Sequence, residues 1–367
     1  MLSLHFLFTL LVFLVTIVTL VVIHEFGHYF AAKKFGIKVL EFGFGIPPRA
    51  WGKKIGETIW SLNWLPFGGF VRLLGEDEVD KKVLEDKRSF ASQNVWKRIT
   101  VVVAGVAMNL ILAWVLFYIV IIGQGWKVIY PTIEPVAMVA EVESDFPAAS
   151  AGIKAGDRIL SIDGTKIQTS EDVINQIKSK GSSNPLSVEV GDLEGKNPRT
   201  VSLTPKITED GTPRIGVVFN PIPLKEYKTP LEKTFSGITY SWDVLRVNTI
   251  GLGRVFGDLS QGKVAQASKS VAGPVGLVSI TGSIIEQGAE AFLFYIWFVA
   301  NISLSLAFFN VLPIPALDGG RLFFLLWEAF TGRKANAEVE RVIHTVGMAC
   351  LLGLLALITF SDISKFF

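Results

Sequence analysis

Apolar residues crowd into four long stretches of this chain, about Leu4–Ala32, Ile99–Ile122, Ala291–Leu312 and Val342–Phe360. A helix needs roughly 20 such residues to cross a hydrocarbon core about 30 Å thick, so each stretch predicts a membrane-spanning helix. The first could be taken for a secretory signal peptide. No basic segment precedes it, its apolar run is too long, and no small-residue cleavage site follows, so a retained span is the better reading. A fifth stretch, Thr234–Phe256, mixes Asp243, Arg246 and Arg254 with its apolar residues and reads as an interfacial or amphipathic helix.

Between the second and third stretches the pattern changes to short alternating runs. In "AASAGIKAGDRILSIDGTKIQTSEDVINQI", Gly152 and Gly156 mark turns, Arg158–Ile162 reads as a strand, and Asp163-Gly164 is a tight hairpin signal. Ser170 begins a predicted helix whose Val173, Ile174 and Ile177 share one face. Strands over Leu186–Val190, Thr200–Leu203 and Ile215–Phe219 would close a small barrel. This segment resembles a bacterial PDZ domain, which implies a site for an extended peptide along a strand edge, either a C-terminus or an unfolded segment. The alternative is a generic β-rich domain.

Composition fits this division. Of 367 residues, 50% are hydrophobic and 19% charged, with a mean hydropathy of +0.45. That is too apolar for an ordinary soluble protein and too rich in charge and glycine for a bare helical bundle. A net charge of +2 gives no case for nucleic acid. The single cysteine, Cys350, excludes an intramolecular disulfide and a cysteine-built zinc cage. Orientation follows from Lys and Arg: residues 33–98 hold 13 in 66 positions, whereas residues 123–290 hold 17 in 168. The denser loop is expected in the cytosol, with the N-terminus and the long middle segment outside.

The first apolar stretch runs into His24, Glu25 and His28. Four residues apart on a helix, the two histidines share a face and can share a metal. His-Glu-x-x-His on a helix is the metalloprotease pattern, with Glu25 as general base. The bland reading is a polar patch gripping neighbouring helices, or a proton path. Ionisable groups at membrane depth are costly and seldom idle. Zinc hydrolases use three protein ligands and an open position. The third stretch ends in "LAFFNVLPIPALDGGRL", residues 306–322, where Pro313 and Pro315 stop the helix and Asp318 follows in a Gly-rich turn. Counting crossings puts His24, His28 and Asp318 on the same side of the membrane, provided that Thr234–Phe256 does not span. His5 and His344 are assigned to other membrane ends. The five residues from His28 to Lys33 place a metal about 7–8 Å inside the cytosolic boundary.

With these motifs together, the chain resembles the site-2 protease family of intramembrane zinc metalloproteases, and within it the bacterial RseP/RasP group. The resemblance rests on HEFGH at 24–28 and on N-x-x-P-x-P-x-L-D-G at 310–319. "LPFGGFVRLLGEDE" (65–78), "GVAMN" (105–109) and "GPVG" (273–276) also fall where that group places them. It covers nearly the whole chain, with one PDZ segment where the enterobacterial member has two. It implies Zn2+ held by His24, His28 and Asp318, with Glu25 taking a proton from water. The implied reaction is hydrolysis of peptide bonds in or near the transmembrane segments of single-span proteins, such as anti-sigma factors already cut outside, or remnant signal peptides. By the same resemblance Asn310, in the motif with Pro313 and Pro315, holds the substrate backbone; capping the broken helix is its alternative role. "EFGFGIPPRAW", with Gly43 and Gly45, resembles the family's glycine-rich partner segment. "TIWSLNWLPFGGFVRL", with Gly68 and Gly69, has strand-like composition. Together they predict a β-hairpin that adds the substrate as an extra strand, or a plain interfacial hairpin anchored by Trp51, Trp60 and Trp64.

Two other classes fit parts of the pattern. A catalytically silent PDZ-bearing membrane scaffold has no need of Glu25, and a metal or ion transporter is disfavoured by four spans without an internal repeat. The expected fold is a polytopic α-helical membrane protein with four transmembrane helices, a cytosolic membrane-associated β-hairpin region and an extracytosolic PDZ domain. Its segments are residues 1–32 (first span), 33–98 (cytosolic loop), 99–122 (second span) and 132–220 (PDZ domain). Residues 221–290 form an interfacial connector, followed by 291–312 (third span), 313–341 (the LDG segment) and 342–360 (fourth span). The expected location is the bacterial inner membrane, with the site near its cytosolic face.

Overall fold

The computed structural model describes residues 4–76, 81–131, 136–181, 184–193, 195–208, 211–219, 223–269 and 271–364. Thr132 and Asn220, the expected bounds of the PDZ segment, and Asp77 and Glu78 of the hairpin motif lie outside the described residues. Among the described residues, eight helices have ten or more residues. They are α1 (Leu4–Lys34), α2 (Val95–Gly123), α3 (Ser170–Lys180), α4 (Ser236–Ser260), α5 (Pro274–Glu286), α6 (Phe292–Val311), α7 (Asp318–Thr331) and α8 (Ala337–Ser364). The chain divides into two compact units, Met1–Gly123 with Phe235–Phe367, and Gln124–Thr234.

In the first unit α1, α2, α6 and α8 are long and apolar enough to cross a membrane. Helices α2 and α8 begin four and five residues before their apolar runs, because a helix continues through flanking polar residues until something caps it. Helix α1 ends where Lys33 and Lys34 complement its C-terminal dipole and Gly36 takes φ +74°. Helix α8 leaves Leu352, Leu354, Leu355 and Leu357 exposed. Each such side chain is worth about 1.5–3 kcal/mol when removed from water, which a bilayer supplies. Helix α4 is not among the four. Tyr240 is fully buried against Phe117, with ring centroids 4.9 Å apart, and accepts a hydrogen bond from Trp297 at 2.8 Å. Asn248 meets Ser305 at 3.5 Å with the same offset of 57 residues, so α4 lies alongside α6 for about 12 Å. Helix α4 also meets α2, where Gly237 permits close approach, since a Cβ there would stand 2.9 Å from the Trp114 carbonyl oxygen.

Two long strands, β1 (Val39–Ile55) and β2 (Thr58–Leu73), follow α1. Their register makes four segments rather than a plain hairpin. Val39–Phe44 runs antiparallel to Gly69–Leu73, and Arg49–Ile55 runs antiparallel to Thr58–Asn63. Glu41–Phe44 also faces Ile59–Leu62 with numbers rising together on both, so Gly69–Leu73 becomes a sheet edge. Trp51 and Trp64 are exposed, as boundary anchors would be. Trp60 instead stacks on Phe42 at 4.7 Å and joins Phe26 and Tyr29 of α1; its face of the sheet is turned to the helix.

The second unit is β-rich. Thr165–Lys166, Arg158–Ile162, Leu186–Gly191 and Arg199–Leu203 form one sheet in that order, and Val139–Val142 pairs with Val217–Phe219. The expected barrel closure is partial, because among the described residues an isolated bridge, Met138–Arg158, joins the pair to the larger sheet. Helix α3 starts from Thr169, whose hydroxyl accepts from the Asp172 N–H while the Asp172 carboxylate accepts from the Thr169 N–H. The two backbone N–H donors of Thr169 and Gln168 hold that carboxylate below its ordinary pKa. Val173 and Ile177 enter the core with Ile159, Ile162, Val188 and Val190, whereas Ile174, expected on the same face, is 45% exposed.

Candidate metal centre

The site forms where α1 meets α2. Helices approach closely only where side chains are absent, and Gly27 and Gly105 supply that gap. A Cβ on Gly27 would overlap the Ala104 carbonyl, and one on Gly105 would overlap the His28 ring and stand 2.9 Å from His24 Nε2. Both imidazoles therefore lie over the α2 backbone, with His24 8% exposed. Asp318 comes from the start of α7, which a tight turn joins to α6. The turn depends on Gly319 and Gly320, whose Cβ atoms would strike the Val311 and Ile314 carbonyl oxygens at 2.6 and 2.7 Å. Helix α7 is held by ion pairs from Arg321 to Glu76, beyond β2, and from Glu328 to Arg98 on α2.

His24 Nε2, His28 Nε2 and Asp318 Oδ2 form a triangle with edges of 3.1, 2.9 and 3.2 Å. Ligands at tetrahedral positions about 2.0–2.1 Å from zinc stand about 3.3 Å apart, and two imidazoles with a carboxylate are a catalytic zinc donor set. The tautomers agree. His28 Nδ1 lies 2.9 Å from the Val101 carbonyl, which only accepts, so the proton sits on Nδ1 and Nε2 offers a lone pair. Asp318 Oδ2 is buried with no hydrogen-bond partner despite the nearby rings. Three lone-pair atoms facing one another at this distance fit a cation, and the residues present fit zinc.

The remaining predicted residues fall into two groups. Glu25 sits on α1 between the two histidines, within electrostatic reach of both, of Asp318 and of Glu76. Gly69 lies against it, for a Cβ there would stand 3.0 Å from Glu25 Cγ and 3.4 Å from the Gly43 carbonyl oxygen. Gly68 and Gly45 take φ of +77° and +80°, so both serve the sheet's bends. Asn310 is in the last turn of α6, and its amide makes no hydrogen bond among the described residues, which leaves the capping role without a contact. Pro313 and Pro315 lie in the turn between α6 and α7, and Leu312 is already extended.

Two residues have parts that motif reading did not give. Asn109 of "GVAMN" is 1% exposed, with its amide 3.4 Å from His24 Nδ1 and its Oδ1 buried without a partner. If His24 offers Nε2 to a cation, its proton sits on Nδ1 and needs an acceptor. Amide oxygen and nitrogen exchange places on a half-turn of the group, and that half-turn gives Nδ1–H the orphaned oxygen. His344, assigned to another membrane end, instead accepts from the Ala316 N–H at 2.9 Å, two residues from Asp318. The turn between α6 and α7 and the start of α8 lie at the same end of the bundle, so that exclusion is corrected. His5 pairs with Glu286 at 3.2 Å, away from the metal centre.

A zinc-type donor set with an adjacent carboxylate, its two histidines on a helix of membrane-spanning length and its aspartate on the short helix that follows another, defines a zinc peptidase of the intramembrane type. The chain belongs to peptidase family M50, whose family model matches residues 12–354. A relative in Clostridium perfringens is 34% identical over 94% of this chain and 95% of its own length. The zinc metalloprotease RasP of Geobacillus kaustophilus is 29% identical, covering 97% of each chain. The regulator of sigma-W protease RasP of Bacillus subtilis is 29% identical over 98% of this chain and 99% of its own. Among solved structures, a PDZ domain of an SdrC-like protein from Listeria monocytogenes aligns with 24% of this chain and 90% of its own, at 30% identity and a TM-score of 0.21. The protein is an intramembrane zinc metalloprotease of regulated intramembrane proteolysis.

Proposed function

We propose that this protein cleaves single-span membrane proteins at the His24, His28 and Asp318 centre, near the cytosolic face of a bacterial inner membrane. The observation that carries the reading is the triangle of lone-pair atoms 2.9–3.2 Å apart with Glu25 beside it. A bound zinc ion would supply a water activated near neutral pH and polarisation of the scissile carbonyl. Glu25 takes the proton from that water and hands it to the leaving amine. The edge segment Gly69–Leu73 pairs an unwound substrate as an added strand, and bare Gly69 lets that strand pass close to Glu25. Asn310, whose amide makes no hydrogen bond among the described residues, holds the substrate backbone, and Pro313 and Pro315 shape the turn beside it. The Bacillus subtilis relative is a regulator of sigma-W protease, which supports the anti-sigma-factor class among the proposed substrates.

The basic loop 33–98 supports a cytosolic hairpin and an extracytosolic second unit. We read that unit as a PDZ domain acting as an access filter against substrates whose ectodomain is still attached. Purified Glu25→Gln protein tests the chemistry on a single-span reporter. Cleavage should fall about 100- to 10,000-fold, the span of general-base effects, and zinc-loaded liposomes should show no zinc flux. Activity within tenfold of wild type removes Glu25 from the reaction, and flux would favour a transporter.

A further inference from the structure

Helix α8 barely enters the protein. From Arg341 to Cys350 every residue is exposed except His344 and Gly347, and both meet the turn that delivers Asp318. His344 Nδ1 accepts from the Ala316 N–H at 2.9 Å. Gly347, nearly one turn on, lies so close to Pro315 that a Cβ would stand 3.0 and 3.1 Å from the Pro315 carbonyl carbon and oxygen. The Cβ position of Gly320 is 3.1 Å from His344 Cε1. Ala316 itself has φ +74°. For a residue with a side chain that conformation is unfavourable and persists only where neighbours impose it.

We propose that His344 is a positioning residue for the metal centre: it pins the Ala316 N–H, fixes the left-handed turn, and so aims Asp318 at His24 and His28. A histidine on a lipid-facing helix is otherwise unfavourable; its ring also packs beside Phe324 of α7, with centroids 6.0 Å apart, so the test must separate packing from the hydrogen bond. Accepting through Nδ1 leaves the proton on Nε2, so the ring acts as a neutral acceptor. The inference rests on reading Asp318 as a zinc ligand.

The chemistry dictates the test. Asparagine carries Oδ1 on Cγ, where histidine carries Nδ1, whereas glutamine sets its oxygen one bond further out. In full-length protein, zinc affinity is read by competition with a chelator, with thermal midpoints recorded beside it. His344→Leu and His344→Gln should bind zinc about tenfold or more weakly, as loss of a group supporting a ligand does. His344→Asn should stay within about threefold of wild type. Should the leucine variant fail to fold, the comparison of asparagine with glutamine decides. Equal losses in both mean a packing role and overturn the proposal, as does wild-type affinity in both. Asp318→Ala in the same assay separates the readings. Retained zinc there sinks the ligand assignment, while zinc lost there but kept in His344→Gln sinks the positioning role alone.

Discussion

Asn109 shows how one side chain can control a metal site without touching the metal. Its amide is the group within reach of His24 Nδ1, and its oxygen has no other partner. Replacing such an outer partner typically weakens metal binding about 10- to 100-fold. An Asn109→Leu chain should lose zinc affinity by that factor in chelator competition, while Asn109→Asp, which keeps an acceptor, should not. Affinity within threefold of wild type for the leucine variant would detach Asn109 from the centre. At this scale the sequence was legible where chemistry follows from residue type and spacing: two histidines four apart on a helix, and an aspartate after a broken one. It was not legible for Asn109, whose role depends on Gly105 letting α2 lie against the rings. For His344 the count of spans was already enough, since the fourth stretch opens at Val342 at the end where residues 313–341 lie. The contact with Ala316 itself was not legible, because it depends on the left-handed turn before Asp318.

Among the elements, the four long helices were predictable within a few residues because apolar length sets them, and helix ends moved only where polar flanks stayed helical. The sheet was only half predictable. Strand composition marks β1 and β2, but the bend that sets Glu41–Phe44 between two segments of β2 arises from pairing, with Gly45 and Gly68 at positive φ. The turn of this sheet is pinned to α1 by Glu57, which accepts from Lys33 at 2.5 Å and from Arg88 at 2.6 and 2.8 Å. Hydrogen bonds from Lys33, and then Arg88, lower its pKa from 4.5 to about 2. With the folded value depressed, the stabilisation is complete above about pH 4.5 and disappears as pH falls through about 2. Because Glu57 is partly exposed, the gain is small, about 1 kcal/mol or less. The thermal midpoint of wild type should exceed that of Glu57→Gln at pH 6, and the difference should close by pH 2 to 3. An unchanged difference across that range would show that the pair does not hold the turn.

For the whole molecule, the proposed division of labour gives the metal centre to one unit and an access filter to the other. Deleting residues 132–220 should leave cleavage of a pre-trimmed single-span reporter nearly intact and permit cutting of the untrimmed form. If the deletion abolishes cleavage of the trimmed reporter while zinc stays bound, that unit recruits substrate or supports the fold instead. In the proposed centre α1 and α7 come together so that His24, His28 and Asp318 hold one zinc ion while Glu25 stands beside it without binding it. Elemental analysis of purified protein counts that ion. About one zinc per chain is predicted for wild type and for Glu25→Gln, with loss in His24→Ala, His28→Ala and Asp318→Ala. Full zinc occupancy in Asp318→Ala, or its loss in Glu25→Gln, would contradict the assignment.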